Sequence, residues 1–245
     1  MKSVVVIPAR YGSSRYPGKP LVELLGKPMI LWVAELAAKA VSAENVYVAT
    51  EDERIASVVA NAGYNAVMTS GSALTGTDRL ADAASKISAD IFVNVQGDEP
   101  LVDPKDIVRI IDFKKEHMNK VVNGFSVLSE GEDVANVNIP KVIATESGRM
   151  VYMSRNPLPG FKDAAKKPEK YHKQVCIYAF TGDELAQFAS YGRKSELERC
   201  EDIEILRFLE LGKDIQMVET QPGSLAVDVP EDVAPVEAAL RARIG

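Results

Sequence analysis

Residues 3–20 read SVVVIPARYGSSRYPGKP, and this stretch sets what the rest of the chain can be. Val4-Val5-Val6-Ile7 is a short β-branched run of the kind that forms a buried strand. It stops at Pro8. A loop follows that carries two glycines, two serines and the cations Arg10, Arg15 and Lys19. A strand running into such a loop is one physical solution to holding a polyphosphate: glycine lets the backbone come close, free N–H groups point inward, and fixed cations neutralise the anion. The stretch therefore predicts a nucleotide site at the edge of an α/β sheet.

Outward from it, strand and helix signals alternate. A helical apolar spacing runs over 29–41 (MILWVAELAAKAV) after Pro28. Strands are expected at 45–50, 65–69 and 90–95, and helices at 52–62 (stopped by Gly63), 78–88 (capped by Thr77 or Asp78) and 103–117. This cadence means crossovers onto a doubly wound, mostly parallel sheet with helices on both faces. The character changes near Lys120. A strand at 121–128 leads into the acidic turn SEGED, and strands at 139–145 and 150–154 flank the hairpin signal Glu146-Ser147-Gly148. Residues 156–170 are Pro/Lys-rich loop, 174–181 a further strand, 196–211 an amphipathic helix, 215–219 a strand and 231–243 the last helix. The expectation is one domain, 1–245, with an antiparallel lobe inserted at about 130–195.

The composition narrows the classes. The net charge of −6 argues against a general nucleic-acid surface while leaving room for a local basic pocket. No apolar run approaches the ~20 residues of a membrane helix. Cys176 and Cys200 lack CxxC spacing and read as reduced thiols of a cytoplasmic protein. His117 and His172 lie too far apart in sequence to suggest a zinc site.

A second informative stretch is 93–100, VNVQGDEP, where an apolar strand ends in Gln96-Gly97-Asp98-Glu99. Ligands of open parallel sheets bind beyond the carboxyl ends of the strands. Asp98 there is a natural Mg²⁺ ligand, because magnesium takes one or two carboxylates together with phosphate oxygens. The alternative is that Asp98 and Glu99 cap the next helix or solvate a turn. Asp228, in AVDVPED, is a second candidate metal ligand, and helix capping is equally good local physics for it. Residues 70–80 (SGSALTGTDRL) form a loop of small hydroxyls entering a helix, suited either to a base edge or to plain capping.

Together these pieces resemble the cytidylyltransferases that activate 3-deoxy-manno-octulosonate (Kdo). IPARYGSSRYPGKPL, TGTDRLAD, VNVQGDEP, AVDVPEDV and LERCEDIEILRFLELG each resemble a segment of that family, in the family's order and over nearly the whole chain. The resemblance implies the fold read above and a reaction of CTP with a 2-keto-3-deoxy sugar acid, dependent on Mg²⁺, giving a CMP-sugar and pyrophosphate. It implies catalytic roles for Arg10, Lys19, Asp98 and Asp228, with Asp98 and Asp228 as metal ligands. The nucleotide side would comprise Ala9, Arg10, Ser13, Arg15, Lys19, Thr75, Gly76, Arg79 and Asp98. The sugar side would comprise Gln96, Arg155, Gln174, Tyr178, Glu201, Asp202 and Glu204. It also implies a homodimer serving lipopolysaccharide synthesis.

The nucleotide motifs match the family and the sugar-side motifs depart from it. The family's RHLGIYGYR is here YHKQVCIYAFT, which puts Gln174 where a sugar-facing histidine is usual, and LEQLR is IEILR, which puts Ile205 in place of a glutamine. Each polar pocket group must match a substrate group or be left unpaired. The departures therefore point to Kdo or to its 8-amino-3,8-dideoxy variant, whose ammonium would suit the Glu198/Glu201/Asp202 region. Rival expectations are a CMP-sialate-type or other nucleotidyltransferase, and a non-catalytic CTP-binding module.

Overall fold

The computed structural model describes residues 1–12 and 16–244. Ser13 and Arg15, both expected on the phosphate side, lie outside the described residues. In chain order the elements are β1 (Ser3–Ala9), β2 (Glu23–Leu24), β3 (Lys27–Pro28), α1 (Met29–Val41), β4 (Val46–Thr50), α2 (Glu53–Asn61), β5 (Asn65–Met68), α3 (Gly76–Ala84), β6 (Ile91–Val95) and α4 (Pro104–Glu116). There follow β7 (Val121–Val127), β8 (Lys141–Ala144), β9 (Met150–Ser154), β10 (His172–Phe180), α5 (Gly182–Ser190), α6 (Glu196–Glu201), α7 (Leu206–Glu210), β11 (Ile215–Glu219) and α8 (Val233–Ile244).

The main sheet runs β11-β7-β10-β6-β1-β4-β5. β1 pairs in parallel with β4 and β6, β4 with β5, and β7 with β11. β10 alone on this path runs antiparallel, to both β6 and β7. The hairpin β8–β9 attaches at the start of β10 through the Lys173–Lys141 pairing. The segment expected as an inserted lobe thus divides. Its β8–β9 hairpin and the largely exposed loop 155–171 sit at the margin, whereas β10 is in mid-sheet.

Strand alternation sends side chains to two apolar layers. Val5, Ile7, Val93 and Ile177 pack with α1 and α4 on one face, and Val4, Val6, Phe92, Tyr178 and Phe180 pack with α3, α5 and α7 on the other. A third cluster (Leu24, Met29, Leu101, Val227, Val236, Leu240) fixes α8 and the segment before it against the loop after β1. These buried runs explain why the β-branched segments become central strands: both of their faces are covered.

Two local expectations are corrected. Residues 196–211 do not form one helix. The chain breaks at Asp202, which adopts a left-handed conformation (φ 51°), and Ile203 and Ile205 are drawn into the core between the two short helices. The cap of α3 is Thr75, not Thr77 or Asp78, since the Thr75 hydroxyl accepts the Asp78 N–H. α5 lay outside the expected elements, although Thr181 and Glu184 form a capping box that marks its start.

Candidate active site

A cavity of about 980 Å³ opens at the carboxyl ends of β1 and β6 and continues along β10 to the loop 131–140. At its β1–β6 end the chain is forced close. A Cβ on Gly97 would lie 3.1 Å from the Pro8 carbonyl oxygen, and one on Gly76 would lie 3.1 Å from Gln96 Nε2. Glycine at both places lets the two strand ends and the start of α3 meet.

Lys19 follows Gly18 into a short 3₁₀ turn (Lys19–Leu21) that buries Pro20. Its ammonium stands 2.6 Å from Asp98 Oδ2 and 3.5 Å from Asp228 Oδ1. The two carboxylates come from positions 130 residues apart (228 minus 98), joined by the Val227 N–H donating to the Asp98 carbonyl. Neither is a helix cap: Asp103 caps α4, and Asp232 accepts the N–H groups of Asp228 and Val229. The capping alternatives for Asp98 and Asp228 are thereby replaced by convergence on one cation. Two carboxylates facing one cationic centre suit magnesium, which would complete its shell with phosphate or water oxygens. Among the described residues no third acidic, His or Cys ligand joins them.

Arg79, 4% exposed, pairs with Glu51 Oε2 at 2.8 Å and donates to Thr69 Oγ1 at 2.7 Å. Burial lowers its pKa, Glu51 opposes that shift, and nearby Arg10 adds to it. Glu51 also accepts the Tyr11 N–H, so one carboxylate ties the loop after β1 to α3. Ala9, Arg10, Thr75, Gly76 and Arg79 all line this end.

Along β10 the wall changes. Glu204 accepts from Gln96 Nε2 (3.2 Å) and the Thr77 N–H (3.0 Å), and burial raises its pKa. Burial likewise pushes up the Glu99 carboxyl, which accepts from Ser224, and the Cys176 thiol and Tyr178 hydroxyl. Arg155 lines the cavity but donates its guanidinium to the carbonyls of Glu201, Val137 and Asp202. Gln174 lines the cavity and donates to Asn123. Asp202 faces the cavity and pairs with Lys194 at 2.8 Å.

The remaining sugar-side expectations shift. Glu201 does not line the cavity; it accepts from Ser154 Oγ and the Arg155 N–H and so holds Arg155 from behind. Glu198 is buried in a bidentate pair with Arg207, which also grips Asp78. Ile205 is 1% exposed in the apolar core, not on the pocket wall. Sequence reasoning passed over Glu51, Lys173 with its partner Glu132, and Lys194. Glu51 follows a parallel strand directly, a position that could have marked it. The other three depend on how the loops fold back.

The cytidylyltransferase family model matches residues 4–215. The 3-deoxy-manno-octulosonate cytidylyltransferase of Geobacter metallireducens is 41% identical over 246 residues, covering 95% of each chain. That of Trichlorobacter lovleyi is 42% identical, covering 95% of this chain and 96% of its own. Among solved structures, a CMP:2-keto-3-deoxy-manno-octonic acid synthetase complexed with CTP superposes with a TM-score of 0.90 at 37% identity, covering 99% of this chain and all of that one. A glucose-1-phosphate thymidylyltransferase from Bacillus anthracis shares the fold, with a TM-score of 0.69 at 15% identity over 98% of this chain and 95% of its own. The chain is a nucleotidyltransferase and belongs to the 3-deoxy-manno-octulosonate cytidylyltransferase family.

Proposed function

We propose that the protein transfers CMP from CTP to the anomeric hydroxyl of Kdo. The hydroxyl oxygen forms a bond to the α-phosphorus and gives up its proton to solvent, the bond from the α-phosphorus to the α–β bridging oxygen breaks, and pyrophosphate leaves with that bond's electrons. The observation that carries this reading is the convergence of Asp98 and Asp228 on one cation, at a parallel-strand end, in the same cavity as Gln96, Gln174 and Tyr178. Transfers of this kind need positioning and positive charge more than covalent help.

Arg10 and Lys19 neutralise the phosphates as charge builds on the leaving group. Ala9, Thr75, Gly76 and Arg79 meet the nucleoside, and Ser13 and Arg15 are assigned to the phosphate side from the family resemblance alone. Asp98 and Asp228 would hold magnesium, which supplies charge to the triphosphate and lowers the pKa of the attacking hydroxyl. Gln96, Arg155, Gln174, Tyr178, Asp202 and Glu204 meet the sugar acid, with Glu201 acting through Arg155.

The 8-amino acceptor is a second reading. Asp202, 75% exposed at its side chain on the cavity wall, favours it. The burial of Ile205 and the engagement of Glu198 and Glu201 remove its other supports. The protein is further proposed to act in the cytoplasm, as a homodimer, in lipopolysaccharide synthesis. The half-exposed Val151 lies on β9, which among the described residues pairs along its length with β8 alone and so offers an edge for self-association. Pyrophosphate release from CTP with Kdo, with its 8-amino analogue and with no acceptor tests the reaction. Acceptor-dependent release, greater with Kdo, is expected. Release without acceptor, or none with either sugar, would overturn it, and a strong preference for the amino sugar would select the second reading.

A further inference from the structure

We infer that Asn123, a fully buried residue of β7 behind the cavity wall, is a positioning residue for the sugar-acid side. The inference rests on the assignment of that side above. Between β7 and β10 the register is broken. β10 advances three residues, from Val175 to Tyr178, while β7 advances one, from Gly124 to Asn123, so β10 carries two extra residues, Cys176 and Ile177. Bulges of this kind re-aim side chains near active sites. They also leave buried carbonyls without ladder partners, which is costly unless another donor is found.

Asn123 supplies that donor twice. Its Nδ2 donates to the Val175 carbonyl at 2.9 Å and to the Ile177 carbonyl at 3.0 Å. Its Oδ1 accepts from Gln174 Nε2 at 3.1 Å. One amide therefore fixes the bulge from which Cys176 and Tyr178 face the cavity and sets the direction of the Gln174 side chain. Asn123 does not itself line the cavity. No other side chain of its size has two donors and an acceptor for this arrangement: aspartate lacks the donors, leucine lacks both.

The test is a double-mutant cycle of Asn123→Ser and Gln174→Met. Asn123→Ser should raise KM for Kdo about ten-fold and leave KM for CTP within about two-fold. Gln174→Met should raise KM for Kdo several-fold in the native background and add little in Asn123→Ser, because its orientation is already lost. Equal effects of Gln174→Met in both backgrounds, or parallel rises in both Michaelis constants, would overturn the inference. If Asn123→Ser does not fold, Gln174→Met alone must still raise KM for Kdo and not for CTP; no change in either overturns it. Hydrogen exchange needs no substrate: residues 174–178 should exchange faster in Asn123→Ser while β1 is unaltered, and unchanged exchange at 174–178 contradicts the bulge role. A wild type that makes no product from the sugar acid but passes the exchange test counts against the substrate assignment alone.

Discussion

At the β1–β6 end of the cavity, opposite charges meet in pairs that join distant segments: Lys19 with Asp98 and Asp228, and Arg79 with Glu51. The β10 end has ion pairs too, Asp202 with Lys194 and Lys173 with Glu132, but its wall is also shaped by backbone irregularities: a double bulge pinned by Asn123, a left-handed Asp202, and an arginine bound to three carbonyls. The first arrangement leaves short motifs in the sequence, because its charges sit in tight turns and at element starts: Asp98 three residues past β6, Lys19 at the head of a 3₁₀ turn, and Arg79 near the start of α3. The second is tertiary. Its residues can drift in type as long as the backbone trace survives, and this is where the chain departs from the pattern it resembles.

Cutting what joins the two ends should have the largest effect. Arg207 is fully buried between Glu198, in the broken helix, and Asp78, in α3. Burial opposes its charge, but the two carboxylates outweigh that and raise its pKa. Arg207→Leu leaves buried carboxylates unpaired and should cost about 3–5 kcal/mol in denaturant unfolding. A loss under about 1 kcal/mol would mean that the network does not tie the ends together.

Asp98→Asn acts on one end only. Turnover should fall about 10²–10³-fold while both Michaelis constants change little. Near-native turnover in saturating Mg²⁺ would remove the metal role from Asp98.

These expectations also show how far the sequence reaches. The parallel strands were legible because a strand covered on both faces is mostly apolar, as Val4–Ile7 and Ile91–Val93 are. Gly97 and Asp98 were legible because the strand end fixes their place. The break at Asp202 was not, since LERCEDIEILRF keeps a helical apolar spacing and only packing reveals that Ile203 and Ile205 go inward without a continuous helix. The position of β10 was hidden for a related reason: an apolar run such as Val175–Phe180 reads the same in an inserted lobe as in mid-sheet.

Asp202→Gly sharpens the contrast at lower cost. Glycine takes the left-handed conformation without strain and should stabilise the fold by about 0.5 kcal/mol in thermal unfolding. KM for the sugar acid should rise and KM for CTP should not. A destabilised variant would mean that the Lys194 pair outweighs the strain.

The smallest expected effect is one of pH. Burial raises the Glu99 pKa in the folded state, so its contribution to stability is greatest at low pH and is lost as pH rises through the folded value. Glu99→Gln should therefore raise the melting temperature of the ligand-free protein by a margin that widens as pH rises above the ordinary carboxylate range. A margin that narrows as pH rises would contradict the burial assignment.

The division of the cavity itself is tested most directly by measuring both Michaelis constants in Arg10→Ala and Gln174→Ala. Arg10→Ala should raise KM for CTP about ten-fold with KM for Kdo nearly unchanged, and Gln174→Ala should do the reverse. Either substitution raising both constants together would contradict a cavity with a nucleotide end and a sugar end.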